Sequence, residues 1–185
     1  MILRRHTRAT PRPLGGEIGF PRGHPFTFSA MDYRLAGEIG VAMPPSRVWP
    51  LLLDPEFIGD CSEGIDTIAA VNDTHFHVTT EVKVGPFTLH FPLDVRLLDL
   101  EPSESATMLV HGEAPGIKVQ ARSSVALQEH GAGTRLHWNT RTTAHGMVAT
   151  VAGAVLKRLV EARITEFWDA FARDAPARAA TRGEV

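Results

Sequence analysis

Residues 134–172 read "TRLHWNTRTTAHGMVATVAGAVLKRLVEARITEFWDAFA", and within them the hydrophobic period changes from two to about 3.6. In the first part Leu136 and Trp138 fall on one side of a strand, with Arg135, His137, Asn139 and Arg141 on the other. From Gly146 to about Ala172 the apolar residues Val148, Val151, Ala152, Val155, Leu159, Ile164, Phe167, Trp168 and Phe171 make a broad helical stripe. Lys157, Arg158, Glu161, Arg163 and Glu166 fall mostly elsewhere. A helix of about 25 residues is roughly 38 Å long, enough to cross a strongly curved sheet. Beyond it, Asp174 to Val185 holds a proline and little apolar material, so residues 174–185 are expected to be a frayed tail.

Upstream of this junction the period is two as far back as Ile65, with breakers at short intervals. The segments "IDTIAAV", "HFHVTTEVKV", "FTLHFPLDVRLLDL", "ATMLVHGE" and "IKVQARSSVALQE" precede the last strand, which gives about six antiparallel strands in a meander. Across Gly85-Pro86 the alternation changes phase: Phe76, Val78, Val82 and Val84 are even, whereas Phe87, Leu89, Phe91, Leu93, Val95 and Leu97 are odd. A turn at Gly85-Pro86 brings both sets to one face. In "IKVQARSSVALQE", Ile117, Val119, Ala121, Val125 and Leu127 share a side.

Before the meander, "FTFSAMDYRLAGEIGVAM" reads as a first strand running to Ala42, stopped by Pro44-Pro45. A short helix is expected from about Ser46 to Leu53, with Ser46 as N-cap and Trp49, Leu52 and Leu53 on one face. A second short turn or helix spans Pro55 to Asp60 after the Asp54-Pro55 break. The order is β-α-α-β6-α, about seven strands. An antiparallel sheet with one apolar face must cover it, and the long helix is the one large element able to do so. The expected class is therefore α+β, a curved antiparallel sheet around a long C-terminal helix.

Residues 1–25 are rich in Pro, Gly and Arg and are read as a flexible basic arm; residues 26–173 form the folded domain. With 185 residues, 43% of them hydrophobic, the chain can fill one sizeable core. A net charge of -2 argues against a dedicated nucleic-acid binder, which would need clustered Lys and Arg to neutralise phosphates. The single cysteine, Cys61, forms no intrachain disulfide, so the cytoplasm is the expected compartment. No stretch approaches the roughly 20 apolar residues of a bilayer span, and no signal peptide is expected at the N-terminus.

Three parts of the chain resemble the CoxG family, the G-subunit family of carbon monoxide dehydrogenase, within the helix-grip superfamily of START-like or SRPBCC proteins. They are "YRLAGEIGVAMPPSRVWPLLLDPEFIGDC", with its small-Pro-x-x-x-Val-Trp helix start, Asp-Pro and following cysteine; "VTTEVKVGPFTLHFPLDVRLLDL", with Val-Lys-Val-Gly-Pro; and the late "GAGTRLHWNTRTTAHGMVATVAGAVLKRLVEARITEFWDAFA". The likeness runs from about Tyr33 to Ala172. The chain departs from the family in having "CSEG" at Cys61 to Gly64 where Cys-Ile-Pro-Gly is usual. It also ends at Val185 without the apolar anchor that members often carry, so any membrane contact is expected to be peripheral, at the inner face.

The resemblance implies a helix-grip fold and an accessory protein of a molybdenum-hydroxylase-type carbon monoxide dehydrogenase, concerned with maturation or recruitment. It implies a hydrophobic pocket for a quinone or another lipid, no covalently bound cofactor, and molybdenum hydroxylase subunits as partners. The alternative within the superfamily is an enzyme, a cyclase, dehydratase or hydrolase acting on an aromatic or polyketide-like substrate. That reading needs a polar acid or base inside the pocket; His90, His111 or His137 turned inward beside a carboxylate would favour it, and a purely apolar lining would count against it.

The residues expected to line the pocket are Phe57, Cys61, Val84, Phe87, Leu89, Phe91, Ala121, Leu136, Trp138, Val151 and Val155. No catalytic residue is assigned: Cys61 has no readable histidine partner and reads as a buried small hydrophobe. His75 and His77 share a strand face with Thr79, Glu81 and Lys83, and are read as solvated, so no metal site is assigned. A metal there would need ligands from neighbouring strands, with His90 a weak candidate. Asp94 and Arg96 lie on the polar side of their strand, suited to cross-strand pairs. Glycines 131 and 133 mark a turn rather than a phosphate loop.

Overall fold

The computed structural model describes the backbone of residues 31–84 and 87–182, and their side chains except those of 82–89, 148–152, 156 and 182. The expected arm, 1–25, and the first residues of the domain lie outside these bounds. In chain order the elements are β1 (Met31–Val41), α1 (Pro45–Leu52), α2 (Pro55–Asp60), β2 (Ile65–Asn72), β3 (His75–Val84), β4 (Phe87–Glu101), β5 (Ser105–Ala114), β6 (Ile117–His130), β7 (Gly133–His145) and α3 (Met147–Arg182). The seven strands form one antiparallel sheet in the order β1-β7-β6-β5-β4-β3-β2, wrapped around α3. This is the α+β helix-grip arrangement that the period change implies.

The phase change at Gly85-Pro86 is consistent with the pairing of the strands that flank it. Val84 pairs with Phe87, Val82 with Leu89, Val78 with Leu93 and Phe76 with Val95, so the even residues of β3 and the odd residues of β4 share one face. On that face the register runs from Tyr33 through Thr142, Ala121, Val110 and Val95 to Phe76, across six strands. It is the inner face, because α3 lies over it: Gly153 comes against Met31, and Trp168 stacks on Trp138 with ring centroids 6.0 Å apart.

Two expectations about the helices are corrected. α1 starts at Pro45, its N-cap is Pro44, and no side chain caps it; Pro44-Pro45 both ends the strand and begins the helix, so Ser46 falls inside. Its buried face is Pro45, Val48 and Leu51 rather than Trp49, Leu52 and Leu53. Asp54 caps α2 instead, accepting from the Glu56 amide at 3.1 Å.

The expected frayed tail from Asp174 is helical through Arg182, and Pro176 lies inside the helix. Proline removes one helix hydrogen bond, and tertiary contacts offset the loss. Ala175 is fully buried and Ala179 nearly so, both in the cluster that holds Val48 and Leu51. Arg47 donates to the Ala179 carbonyl at 2.8 Å, and Arg178 reaches Asp54 and Glu56.

Candidate ligand pocket between helix and sheet

The inner face divides into two parts. At one end α1, α2 and the later turns of α3 close over β1, β6 and β7 in a packed cluster built around Leu51, Phe57, Leu136, Trp168 and Phe171. Phe57 and Phe171 meet at 5.3 Å between centroids, and Phe167 and Trp168 pack edge to face at 4.8 Å. Gly37 lets the Trp138 indole lie on the sheet, since a Cβ there would stand 2.7 Å from Trp138 Cζ2.

Toward the middle of the sheet the packing loosens. Val95, Leu97, Met108, Val110, Ala121 and Val125 all belong to the inner face, yet each is only half-buried. α3 rests chiefly on β1, with lighter contact to β7 and β6. At the far end Phe91 is buried again, its ring lying over Gly112, where a Cβ would come within 2.4 Å of it. The half-buried apolar strip thus lies between two filled ends.

Hydroxyl groups border this strip on the β7 side. Thr140 and Thr142 are buried on the inner face, and Thr140 Oγ1 is 2.7 Å from Ser123 Oγ. Tyr33, also buried, stands directly opposite Thr142 in the register. Burial pushes the Tyr33 phenol up, and the Glu161 carboxylate of α3 adds to this while the Thr142 hydroxyl opposes it. Sequence alternation marked Leu136 and Trp138 as inward but did not carry the pattern on to Thr140 and Thr142, because polar residues at inward positions give no hydrophobic signal. Their even numbering in the same strand was the available clue.

The expected lining residues separate accordingly. Phe57, Cys61 and Leu136 belong to the packed cluster, where Leu136 is fully buried. Trp138 borders that cluster, Ala121 stands in the half-buried strip, and Phe91 closes the far end. Val155 is a correction: it is 61% exposed. At 100° per residue it lies about half a turn from Gly153, which faces Met31. The side chains of Val84, Phe87, Leu89 and Val151 lie outside the described ones. Burial pushes the Cys61 thiol up to about 11, with Asp174 and Asp60 adding to it, so the sulfur is a protonated core group rather than a nucleophile.

Among the described residues, the outer face carries the histidines. His137 lies 3.5 Å from Glu38, and His90 lies 3.4 Å from Asp66. His111 is exposed on the outer side of β5, directly opposite Asp94. None of the three turns toward the helix. His75 Nε2 is 2.5 Å from Asp94 Oδ2, and this bond, joined by Arg96, holds the Asp94 carboxyl below its usual range. His90, expected as a weak partner of His75 and His77, belongs instead to a separate group with Asp66 and Glu81. The partner is Asp94, and the sequence contained the signal: with the turn expected between residues 84 and 87, residue 77 counts opposite residue 94, as the register has it.

A conserved protein from Geobacillus kaustophilus superposes with a TM-score of 0.70 at 18% identity, covering 78% of this chain and 96% of that one. A Thermus thermophilus protein gives 0.58 at 11% identity, covering 79% and 99%. A point mutant of norcoclaurine synthase from Thalictrum flavum, in complex with a transition-state analogue, gives 0.56 at 10%, covering 81% and 98%. These likenesses establish the fold. Among curated proteins no sequence matches significantly. The family model of the carbon monoxide dehydrogenase G-subunit (CoxG) matches residues 37–175, well over half the sequence, and the chain belongs to the CoxG family.

Proposed function

We propose that this protein is a non-catalytic accessory of a molybdenum-hydroxylase-type carbon monoxide dehydrogenase, and that it holds a hydrophobic ligand, a quinone or another lipid, between α3 and the sheet. The observation that carries the ligand is the half-buried strip of Val95, Leu97, Met108, Val110 and Ala121 on the inner face of the sheet. Apolar surface left partly open between filled ends gains free energy when an apolar molecule covers it. The buried hydroxyls of Tyr33, Thr140 and Thr142 border the strip and suit the polar end of such a ligand. The tie to the dehydrogenase rests on family membership. No helix among the described residues is long and apolar enough to cross a membrane, and the working location is the cytoplasm, with peripheral contact at the inner membrane face.

The enzymatic alternative needs a polar acid or base inside the pocket, and its expected candidates His90, His111 and His137 all point the other way. That observation favours the binding protein. Native mass spectrometry of the full chain purified under mild conditions tests it, together with titration by short-chain quinones followed by quenching of Trp138 and Trp168. A retained lipid or micromolar binding is expected; neither lipid nor binding at micromolar quinone would sink the reading. Co-purification with molybdenum hydroxylase subunits tests the partner separately.

A further inference from the structure

Beyond the ligand strip, on the opposite face of the sheet, the geometry points to a divalent metal site formed by His75, His77 and Asp94, with Zn²⁺ the ion of matching chemistry. His75 and His77 are two apart on β3 and so share its outer face, and Asp94 on β4 stands directly opposite His77 in the register. Three ligand atoms converge there, all within 4.8 Å of one another. His75 Nε2 is 2.5 Å and His77 Nδ1 3.6 Å from Asp94 Oδ2. Ligands about 2.0–2.1 Å from a tetrahedral zinc stand about 3.3 Å apart. The two spacings to Asp94 Oδ2 bracket that value, and the third lies within 4.8 Å.

The support for the ligands is also present. Arg96 Nε holds Asp94 Oδ1 at 3.0 Å, leaving Oδ2 aimed at the two rings. The rings lie edge to face, 5.1 Å between centroids. Asp94 borders a depression of about 750 Å³ that also includes His111, Gln120, Arg122 and Arg141. Within this depression His111 stands opposite Asp94 on the side away from His77.

Two imidazoles and one carboxylate suit Zn²⁺, Ni²⁺ or Co²⁺ rather than Mg²⁺ or Ca²⁺. The other cluster on this face, Asp66, Glu81 and His90, has a single imidazole and is a poorer zinc set.

The test uses the full chain stripped of metal by a chelator and titrated with Zn²⁺ against a chromophoric competitor, with Co²⁺ absorption reporting the coordination. One ion per chain and a tetrahedral Co²⁺ spectrum are expected. His77→Ala and Asp94→Asn should each weaken binding at least ~100-fold, and His90→Ala should leave it unchanged. His77 is largely exposed, so its variant will fold, and circular dichroism verifies this for both. No stoichiometric binding, affinity unaffected by His77→Ala, loss on His90→Ala, or half an ion per chain with concentration-dependent dimers would each overturn the assignment. Quinone or lipid retention is unaffected by these substitutions, so failure here is distinguishable from failure of the ligand reading.

Discussion

Ala121→Leu separates an open interior from a filled one. Ala121 lies on the inner face between Thr142 and Val110 and is half-buried. Leucine adds three carbons, and full burial of each contributes about 0.8 kcal/mol, so partial burial in open space stabilises by about 1 kcal/mol. If the space above Ala121 were already packed, the same carbons would cost about 1–3 kcal/mol in displaced neighbours. The two cases differ in sign. Urea unfolding followed by tryptophan fluorescence should show an unchanged or higher midpoint at constant m. Lipid retained in native mass spectrometry should fall ~10-fold or more, a loss of about 1.4 kcal/mol, because leucine occupies the ligand's place. Leu136→Ala, in the filled cluster, should lose about 2–5 kcal/mol in the same assay. A loss of more than about 1 kcal/mol in unfolding free energy for Ala121→Leu would refute the reasoning, since it would mean that side chains already fill the strip.

The same unfolding assay checks two backbone positions: Gly133→Ala should cost about 1–3 kcal/mol, because its Cβ would stand 2.6 Å from the Val41 carbonyl oxygen and neither backbone can yield easily. Gly40→Ala meets nothing within 4 Å and should be neutral or stabilising. Truncation before Asp174 should destabilise by about 2–4 kcal/mol, through loss of the Arg178 contact with buried Asp54 and exposure of the surface under Ala175 and Ala179. For Cys61, folding raises the pKa from 9.0 to about 11, so its contribution to stability is complete below about pH 9 and is lost as pH rises through about 11. The stability difference between wild type and Cys61→Ala, measured across that range, should shrink accordingly, and the native thiol should resist alkylation that readily labels the unfolded chain.

The strands were legible because each buries one side, and alternation survives wherever the inner residues are apolar. It failed to mark Thr140 and Thr142, inner residues, of which Thr140 bonds the Ser123 hydroxyl and Thr142 stands opposite Tyr33. The long helix was legible in existence but not in rotation. Its early turns carry apolar residues on most sides, so Val155 and Ile164 read as one stripe, although the folded chain exposes the first and half-buries the second. Pro176 suggested an end that packing overrides: Ala175 and Ala179 are small enough to let α3 approach α1 closely. The His75–Asp94 bond depends on register, which a residue-by-residue reading leaves implicit until the hairpin turn is counted.

An open sheet has two borders, and each can recruit another chain. β1 forms one border, and α3 runs against it. β2 forms the other; it is largely exposed, includes Val71, and is eight residues long. Its pairing with β3 slips twice, between Ile65 and Thr67 and between Ala70 and Asn72. Such irregularities bend a border strand and interrupt the even row of amides and carbonyls that a second copy would need for edge-to-edge growth. The two slips in β2 therefore act as protection against aggregation, and straightening them would convert a closed border into a template for fibre-like stacking.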